Sequence, residues 1–252
     1  MYHFFIQAYQ VRDNTIKIEG TDVNHIKNVL RMKSGEQVAV TDEDSVGYRC
    51  RIKSMEEDAV WLEILERSCV DHELPADIYL FQGLPKGDKL ELIIQKAVEL
   101  GVHTIIPMET KRCVVRLDEK KKQAKLKRWN AIAESAAKQS KRTRIPQIPS
   151  VMSMKDALDM AQDFDIVCIP YEQAKGMGTL KNFLEGLHPG TKAAFFIGPE
   201  GGFEESEIEE AMRHGVRPVS LGRRVLRTET ASLALLSMMM LRLECEAEEK
   251  EQ

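Results

Sequence analysis

The chain is poor in the features that announce common chemistries. Its five cysteines, Cys50, Cys69, Cys113, Cys168 and Cys245, are scattered, odd in number and without a CxxC pair. That argues against a disulfide framework or a thiolate zinc site and suits a reducing cytoplasm. His3, His25, His72, His103, His188 and His214 show no metal-ligand spacing, so no metal is expected. No apolar run reaches membrane-spanning length, and no membrane partner is expected. Met1-Tyr2-His3-Phe4-Phe5-Ile6 lacks a basic start and a small-residue cleavage site, and reads as a first strand rather than a signal peptide. Gly83-Leu84-Pro85-Lys86-Gly87-Asp88-Lys89 lacks the spacing and the closing Lys-Ser/Thr of a phosphate-binding loop. No GxGxxG follows the first strand of the α/β region, which weakens a nicotinamide reading. No GxSxG elbow is present.

What remains is an ordinary globular composition, 43% hydrophobic and 30% charged over 252 residues, enough for one large or two modest domains. The net charge of −4 conceals an asymmetry. Between Lys111 and Arg144 stand 13 Lys/Arg and 3 Asp/Glu, a local excess of +10, which leaves −14 for the remainder. Such a run fits either a solvated helix face or a nucleic-acid contact.

Residues 1 to about 70 read as mostly β. Val38 to Thr41, Tyr48 to Ile52 and Ala59 to Leu65 are strand-like, with polar turns between them. One helix is expected, capped by Thr21 or Asp22, with Val23, Ile26, Val29 and Leu30 on one face. Lys27, Arg31 and Lys33 lie on its other face and exit. Arg49, Arg51 and Lys53 alternate along a strand and so point the same way. A small barrel with one basic edge suits an RNA backbone; a β-domain with ordinary surface charges suits the pattern equally.

A polar linker covers 68–76. From Asp77 onward strands alternate with helices: strands at Asp77 to Gln82, Val102 to Met108, Ile166 to Ile169, Ala193 to Ile197 and Val216 to Leu221. Helices are expected at Gly87 to Leu100, Glu119 to Gln139, Met154 to Gln162 and Thr179 to Gly186. This order predicts an α/β domain, a parallel sheet with helices on both faces. Ala231 to Leu241 is apolar nearly all round, as a core helix or an interface helix would be. Glu244 to Gln252 is acidic and is expected to fray.

Two loops dominate the C-terminal part. Ile197-Gly198-Pro199-Glu200-Gly201-Gly202-Phe203 follows one strand, and Leu221-Gly222-Arg223-Arg224-Val225-Leu226-Arg227-Thr228-Glu229-Thr230-Ala231 follows the next. Adjacent βα units place both at one sheet edge, where α/β proteins bind ligands. The glycines let backbone approach a ligand closely.

These loops, in this order and spacing, resemble the SPOUT class of RNA methyltransferases, and more narrowly the RsmE family, the 16S rRNA (uracil-N3) methyltransferases. His25 to Lys33, Lys86 to Val102 and Arg142 to Pro149 are similar to further family segments, so the resemblance covers nearly the whole chain. One departure stands out: the family's Glu-Gln-Ser-Gly-Arg reads Lys138-Gln139-Ser140-Lys141-Arg142 here.

The resemblance implies a PUA-like, RNA-binding β-barrel over 1–70 and a SPOUT-like domain with a C-terminal trefoil knot over 74–246. It also implies S-adenosylmethionine as methyl donor, a homodimer, and small-subunit ribosomal RNA, free or assembled, as partner. Ile197, Gly198, Glu200, Gly201, Gly202, Leu221, Gly222, Leu226, Thr228, Thr230 and Ala231 become cofactor-binding candidates. Arg227 becomes the stabiliser of a uracil anion. Glu229 either orients Arg227 or accepts the N3 proton, orientation being favoured because a carboxylate beside arginine stays ionised. Local sequence alone would make Glu229 a helix-dipole acid, Thr228 a cap and Glu200 a turn residue. RNA-contact candidates are Lys27, Arg31, Lys33, Arg49 and Arg51, with Lys111, Arg112, Arg142 and Arg144 in the basic segment. Two alternatives stay open: a non-catalytic RNA-binding or ribosome-assembly protein on the same fold, and an unrelated nucleotide-dependent oxidoreductase.

Overall fold

The computed structural model describes residues 1–68 and 72–251 and divides into two compact units. Cys69 and part of the expected linker lie outside the described residues. The first unit comprises 1–73 and 137–145; the second comprises 74–136 and 146–252.

The first unit is built on a six-stranded sheet, ordered β1-β4-β5-β6-β3-β2. Its strands are β1 (Tyr2–Phe5), β2 (Val11–Arg12), β3 (Thr15–Glu19), β4 (Gln37–Thr41), β5 (Gly47–Met55) and β6 (Ala59–Ser68). Alternation along β5 buries Tyr48, Cys50 and Ile52 and exposes Arg49, Arg51 and Lys53, as a period of two requires. The buried set joins Phe4, Ile16, Ile18, Ile26, Val38, Val40 and Leu62 in one core. The expected helix is short: α1 (Thr21–Asn24) runs into a wider five-residue turn, His25–Val29. Gly20, at φ 73, occupies its cap position and no side chain caps it, so neither Thr21 nor Asp22 has that role.

The second unit carries an all-parallel sheet, ordered β12-β10-β11-β7-β8-β9. These strands are β7 (Asp77–Gly83), β8 (Thr104–Glu109), β9 (Met152–Ser153), β10 (Ile166–Pro170), β11 (Lys192–Ile197) and β12 (Arg217–Val219). The helices are α2 (Lys89–Glu99), α3 (Glu119–Ser140), α4 (Met154–Ala161), α5 (Gly178–Glu185), α6 (Glu205–Arg213) and α7 (Thr228–Glu251). The last turn of α3 belongs to the first unit.

Both sheet faces are covered, so the strands read as nearly continuous apolar runs. On one face Phe81, Ile106, Ala194 and Phe196 meet Ala157 and Leu158 of α4 and Ile208 of α6. Phe81 and Phe196 stack with centroids 4.5 Å apart, a pair contributing about 1 kcal/mol beyond area burial. On the other side α7 packs against α2, α5 and β11. Leu235, Leu236, Met239 and Leu243 of α7 are buried, whereas Leu241 is 62% exposed. The acidic stretch is helical as far as Glu251, and Gln252 lies outside the described residues. Glu246 holds that stretch, accepting from Arg242 Nη2 at 2.6 Å and pairing with His188 Nδ1 at 2.9 Å.

Candidate active site

Three strands of the second unit, β10, β11 and β12, deliver their C-terminal ends to one cavity of about 800 Å³. This is within the range of small-molecule sites, about 300–1,000 Å³. The two glycine-bearing loops form most of its wall, joined by Pro170 to Gln173 after β10, by Lys89 of α2 and by Arg112 after β8.

Backbone proximity explains the glycines. A Cβ on Gly83 would stand 2.7 Å from Pro199 Cδ and 2.8 Å from Pro199 N, so the end of β7 can touch the 198–203 loop only without a side chain. A Cβ on Gly198 would lie 3.0 Å from the Gly202 backbone. Gly222 adopts φ 110, a value that side-chain-bearing residues avoid.

A buried polar chain then fixes the loops to α7. Gln82, fully buried at the end of β7, donates to Thr228 Oγ1 at 2.9 Å and accepts from Ser232 Oγ at 2.6 Å. Thr228 Oγ1 donates to the Gly198 carbonyl at 2.7 Å. Breaking one of these bonds costs about 1–3 kcal/mol, because a buried partner is left unsatisfied. Sequence reasoning missed Gln82 and Ser232. The available signal was a glutamine closing an otherwise apolar strand.

Of the cofactor candidates, Ile197, Gly198, Glu200, Gly201, Gly202, Leu221, Gly222, Leu226, Thr228 and Ala231 line the cavity together, and Arg227 lines it too. Thr228 reaches it with its hydroxyl already committed to Gln82 and Gly198. Glu229 and Thr230 do not line it. Positions 228 and 231 share one face of α7, which turns 229 and 230 aside.

The electrostatics correct the expected pairing. Glu229 does not reach Arg227; its Oε2 lies 3.9 Å from Lys89 Nζ and, though buried, takes no hydrogen bond. Lys89 also donates to Glu200 Oε1 at 2.8 Å, and Lys86 N–H reaches the same oxygen at 3.1 Å. Burial alone would raise the Glu200 pKa, but the Lys89 hydrogen bond and backbone donors together hold it below the usual value. Arg223, Arg224 and Arg227 are exposed and form no ion pair among the described residues. Lys89 was another residue the sequence did not single out for the site.

Several expected RNA contacts are engaged elsewhere. Arg142, 3% exposed, is buried against Glu73, its Nε 3.1 Å from both carboxylate oxygens, so its guanidinium is a structural cation rather than an open one. Lys27 donates to the Glu56 carbonyl at 2.7 Å. Arg49 and Arg51 pair across strands with Glu66 at 2.7 Å and Glu63 at 3.8 Å. Lys111 donates to Ser206 at 2.8 Å, and Arg112 to the Gly201 carbonyl at 3.0 Å. Arg144 is exposed, and its backbone N–H donates to Glu73. Arg31 and Lys33 are exposed, with no ion pair among the described residues. Nor is any cluster of three His, Cys, Asp or Glu there placed to hold a metal, and no helix is long and apolar enough to cross a membrane.

A parallel sheet covered on both faces, with a cavity of glycine loops at its carboxyl edge, defines an α/β ligand-binding domain. Comparison with known proteins makes that class specific: residues 72–240 match the model of the RNA methyltransferase domain, and 18–65 that of the RNA methyltransferase PUA domain. The chain is 40% identical over 243 residues to a Bacillus subtilis protein named ribosomal RNA small subunit methyltransferase E, covering 94% of this chain and 95% of that one. A Mesomycoplasma hyopneumoniae protein of the same name is 33% identical over 237 residues, covering 94% and 98%. The crystal structure of a Neisseria gonorrhoeae ribosomal RNA small subunit methyltransferase E bound to S-adenosyl methionine superposes with a TM-score of 0.83 at 32% identity, covering 96% of this chain and 97% of that one. The chain belongs to the ribosomal RNA small subunit methyltransferase E family, with a PUA-like N-terminal domain ahead of a SPOUT-type α/β domain.

Proposed function

We propose that the protein transfers a methyl group from S-adenosylmethionine to N3 of a uridine in small-subunit ribosomal RNA. The observation that carries this is the shared cavity of the 197–203 and 220–228 loops, with Arg227 in its wall and without an ion pair among the described residues, in a chain of this family. The fit to the donor rests on the site's chemistry. Glycine backbone closes around the space, and acidic side chains (Glu172, Glu200, Glu205) and basic ones (Lys89, Arg112, Arg223, Arg224, Arg227) both line it, as a donor with a cationic sulfur and an anionic carboxylate requires. Ile197, Leu221 and Leu226 supply apolar surface for a flat ring.

When bound, the donor supplies an electrophilic methyl on a sulfonium. The protein's residues align and compensate charge. Gly198, Gly201, Gly202, Leu221 and Gly222 present backbone groups to the donor, and Ala231 packs beside them. Arg227 places a positive charge against a uracil oxygen as N3 gives up its proton to solvent water and takes the methyl group, the donor's S–CH3 bond breaking to leave a neutral thioether. Glu229, paired with Lys89, charges the first turn of α7 instead of steering Arg227. In the N-terminal unit, Arg31 and Lys33 are the candidates left open for an RNA backbone, so binding should weaken as salt rises.

The same reading includes a cytoplasmic homodimer and a C-terminal trefoil knot. The incompletely covered apolar surface of α7 supports the first, and the SPOUT-type domain supports the second. Light scattering showing a monomer at micromolar concentration would exclude the dimer. Stretching the chain from its ends to the contour length of an unknotted polymer would exclude the knot. The activity itself is tested by incubating the protein with labelled S-adenosylmethionine and small subunits or their rRNA, followed by nucleoside mass spectrometry. N3-methyluridine is expected; no transfer, or no calorimetric binding of the donor, would sink the proposal.

A further inference from the structure

The Lys89 ammonium stands between carboxylates from two different elements. It donates to Glu200 Oε1 at 2.8 Å and lies 3.9 Å from Glu229 Oε2. Glu200 belongs to the glycine loop after β11; Glu229 belongs to the first turn of α7. Lys89 opens α2 and itself lines the cavity. Three chain segments distant in sequence therefore meet on one cation. Glu229 Oε2 is buried and otherwise without a partner, so this cation is the compensation its charge has among the described residues. Glu200 has a second anchor in the Lys86 N–H, which fixes its carboxylate from the backbone side.

We propose that Lys89 is a positioning residue for methyl transfer, clamping the 198–203 loop to the start of α7 and thereby setting the shape of the donor pocket. This rests on the methyltransferase reading above. Without the ammonium, two carboxylates lose their common counter-charge, and the loop is freed to move from α7. Gly198 and Thr228, which form the opposite side of the same junction through a 2.7 Å hydrogen bond, would then carry the closure alone. The expected consequence falls on donor binding more than on turnover at saturation.

The test is calorimetric binding of S-adenosylmethionine together with steady-state methyl transfer by the full chain. Lys89→Met should raise Kd and KM for the donor about tenfold, with kcat changed less. Lys89→Arg, which keeps the charge and a donor, should restore most of the affinity. The double variant Lys89→Met/Glu200→Gln should bind no worse than Lys89→Met alone, because both changes open one clamp. A purely structural role would lower kcat through the active fraction and leave Kd unchanged. If Lys89→Met fails to fold, the isosteric Glu200→Gln carries the test and should weaken binding by a similar factor. Wild-type protein that binds and transfers while Lys89→Met or Glu200→Gln keeps wild-type Kd overturns this inference alone. Wild-type protein that does not bind the donor overturns the methyltransferase reading with it.

Discussion

The N-terminal unit and the loop entering α7 put positive charge to different uses. In the N-terminal unit several cations are closed: Arg49 to Glu66, Arg51 to Glu63, Lys138 to Asp22 at 3.0 Å, and Arg142 buried against Glu73. In the C-terminal unit the loop entering α7 leaves Arg223, Arg224 and Arg227 exposed and without ion pairs among the described residues. A cation committed to a carboxylate maintains a fold, and breaking a buried pair costs far more than the pair contributes. A cation kept open beside a cavity is available to an anion arriving from outside. A count of charges along the chain cannot separate these cases.

Glu73→Gln should have the largest effect on stability. It removes the carboxylate against which the Arg142 guanidinium is buried, at a cost of about 3–5 kcal/mol. Urea unfolding followed through Trp61, in β6, would show it; an unchanged midpoint would mean the pair is idle. Arg227→Ala attacks the open side of the comparison. Methyl transfer should fall about 10²–10³-fold, the range for losing one group that stabilises a developing anion, while calorimetry still detects donor binding. Normal turnover would remove Arg227 from the mechanism.

A third experiment uses pH. Burial, with Lys138 and His72 adding to it, pushes His3 down from 6.5 to about 4. The sign follows from the folded form holding the neutral ring: the contribution is complete above pH 6.5 and is lost as pH falls towards 4. Its ceiling is about 3 kcal/mol. His3→Leu should therefore lose less stability between pH 7 and 4 than the parent protein, measured again through Trp61. Equal losses would place the acid sensitivity elsewhere.

The smallest effect is expected at Lys141. This residue has φ 60 at the end of α3, where Arg142 N–H closes onto the Ala137 carbonyl at 3.0 Å. That backbone geometry favours glycine. Lys141→Gly should stabilise by about 1 kcal/mol or less, seen as a small rise in Tm. A loss would show that the lysine side chain contributes more than its backbone strain costs. The lysine is one of the two departures from the resembled motif; at the other, Lys138 pairs with Asp22 at 3.0 Å.

Much of the architecture was legible because periodicity reports burial directly. The alternation Tyr48, Cys50, Ile52 against Arg49, Arg51, Lys53 marks one face of a strand, and the apolar run of β11 marks a strand buried on both. The glycine loops were legible because glycine has few other reasons to cluster after a strand. A helix after the 197–203 loop was expected from the βα order, but its bounds at 205–213, the brief β2 and β9 strands and the helical extent of α7 to Glu251 were not read. The last depends on Glu246 meeting Arg242 and His188, the latter 58 residues away.

At the site, the two loops that supply most of the cavity wall could be singled out from order and spacing, but the residues that join them from other segments, and their partners, could not. Arg227 and Glu229 look like a pair in the linear chain, two positions apart. On a helix entrance that separation turns them to different sides, and Lys89 takes the carboxylate instead. Sequence alone determined the alternating strands and helices, the two loops and the excess of cations between 111 and 144, because each is a local pattern of residue types. Which cations stay open, that Gln82 and Ser232 lock the loops, and that Lys89 joins two acids were decided only by the tertiary structure. Those outcomes depend on distances between residues up to 150 positions apart, and no local pattern encodes such a distance.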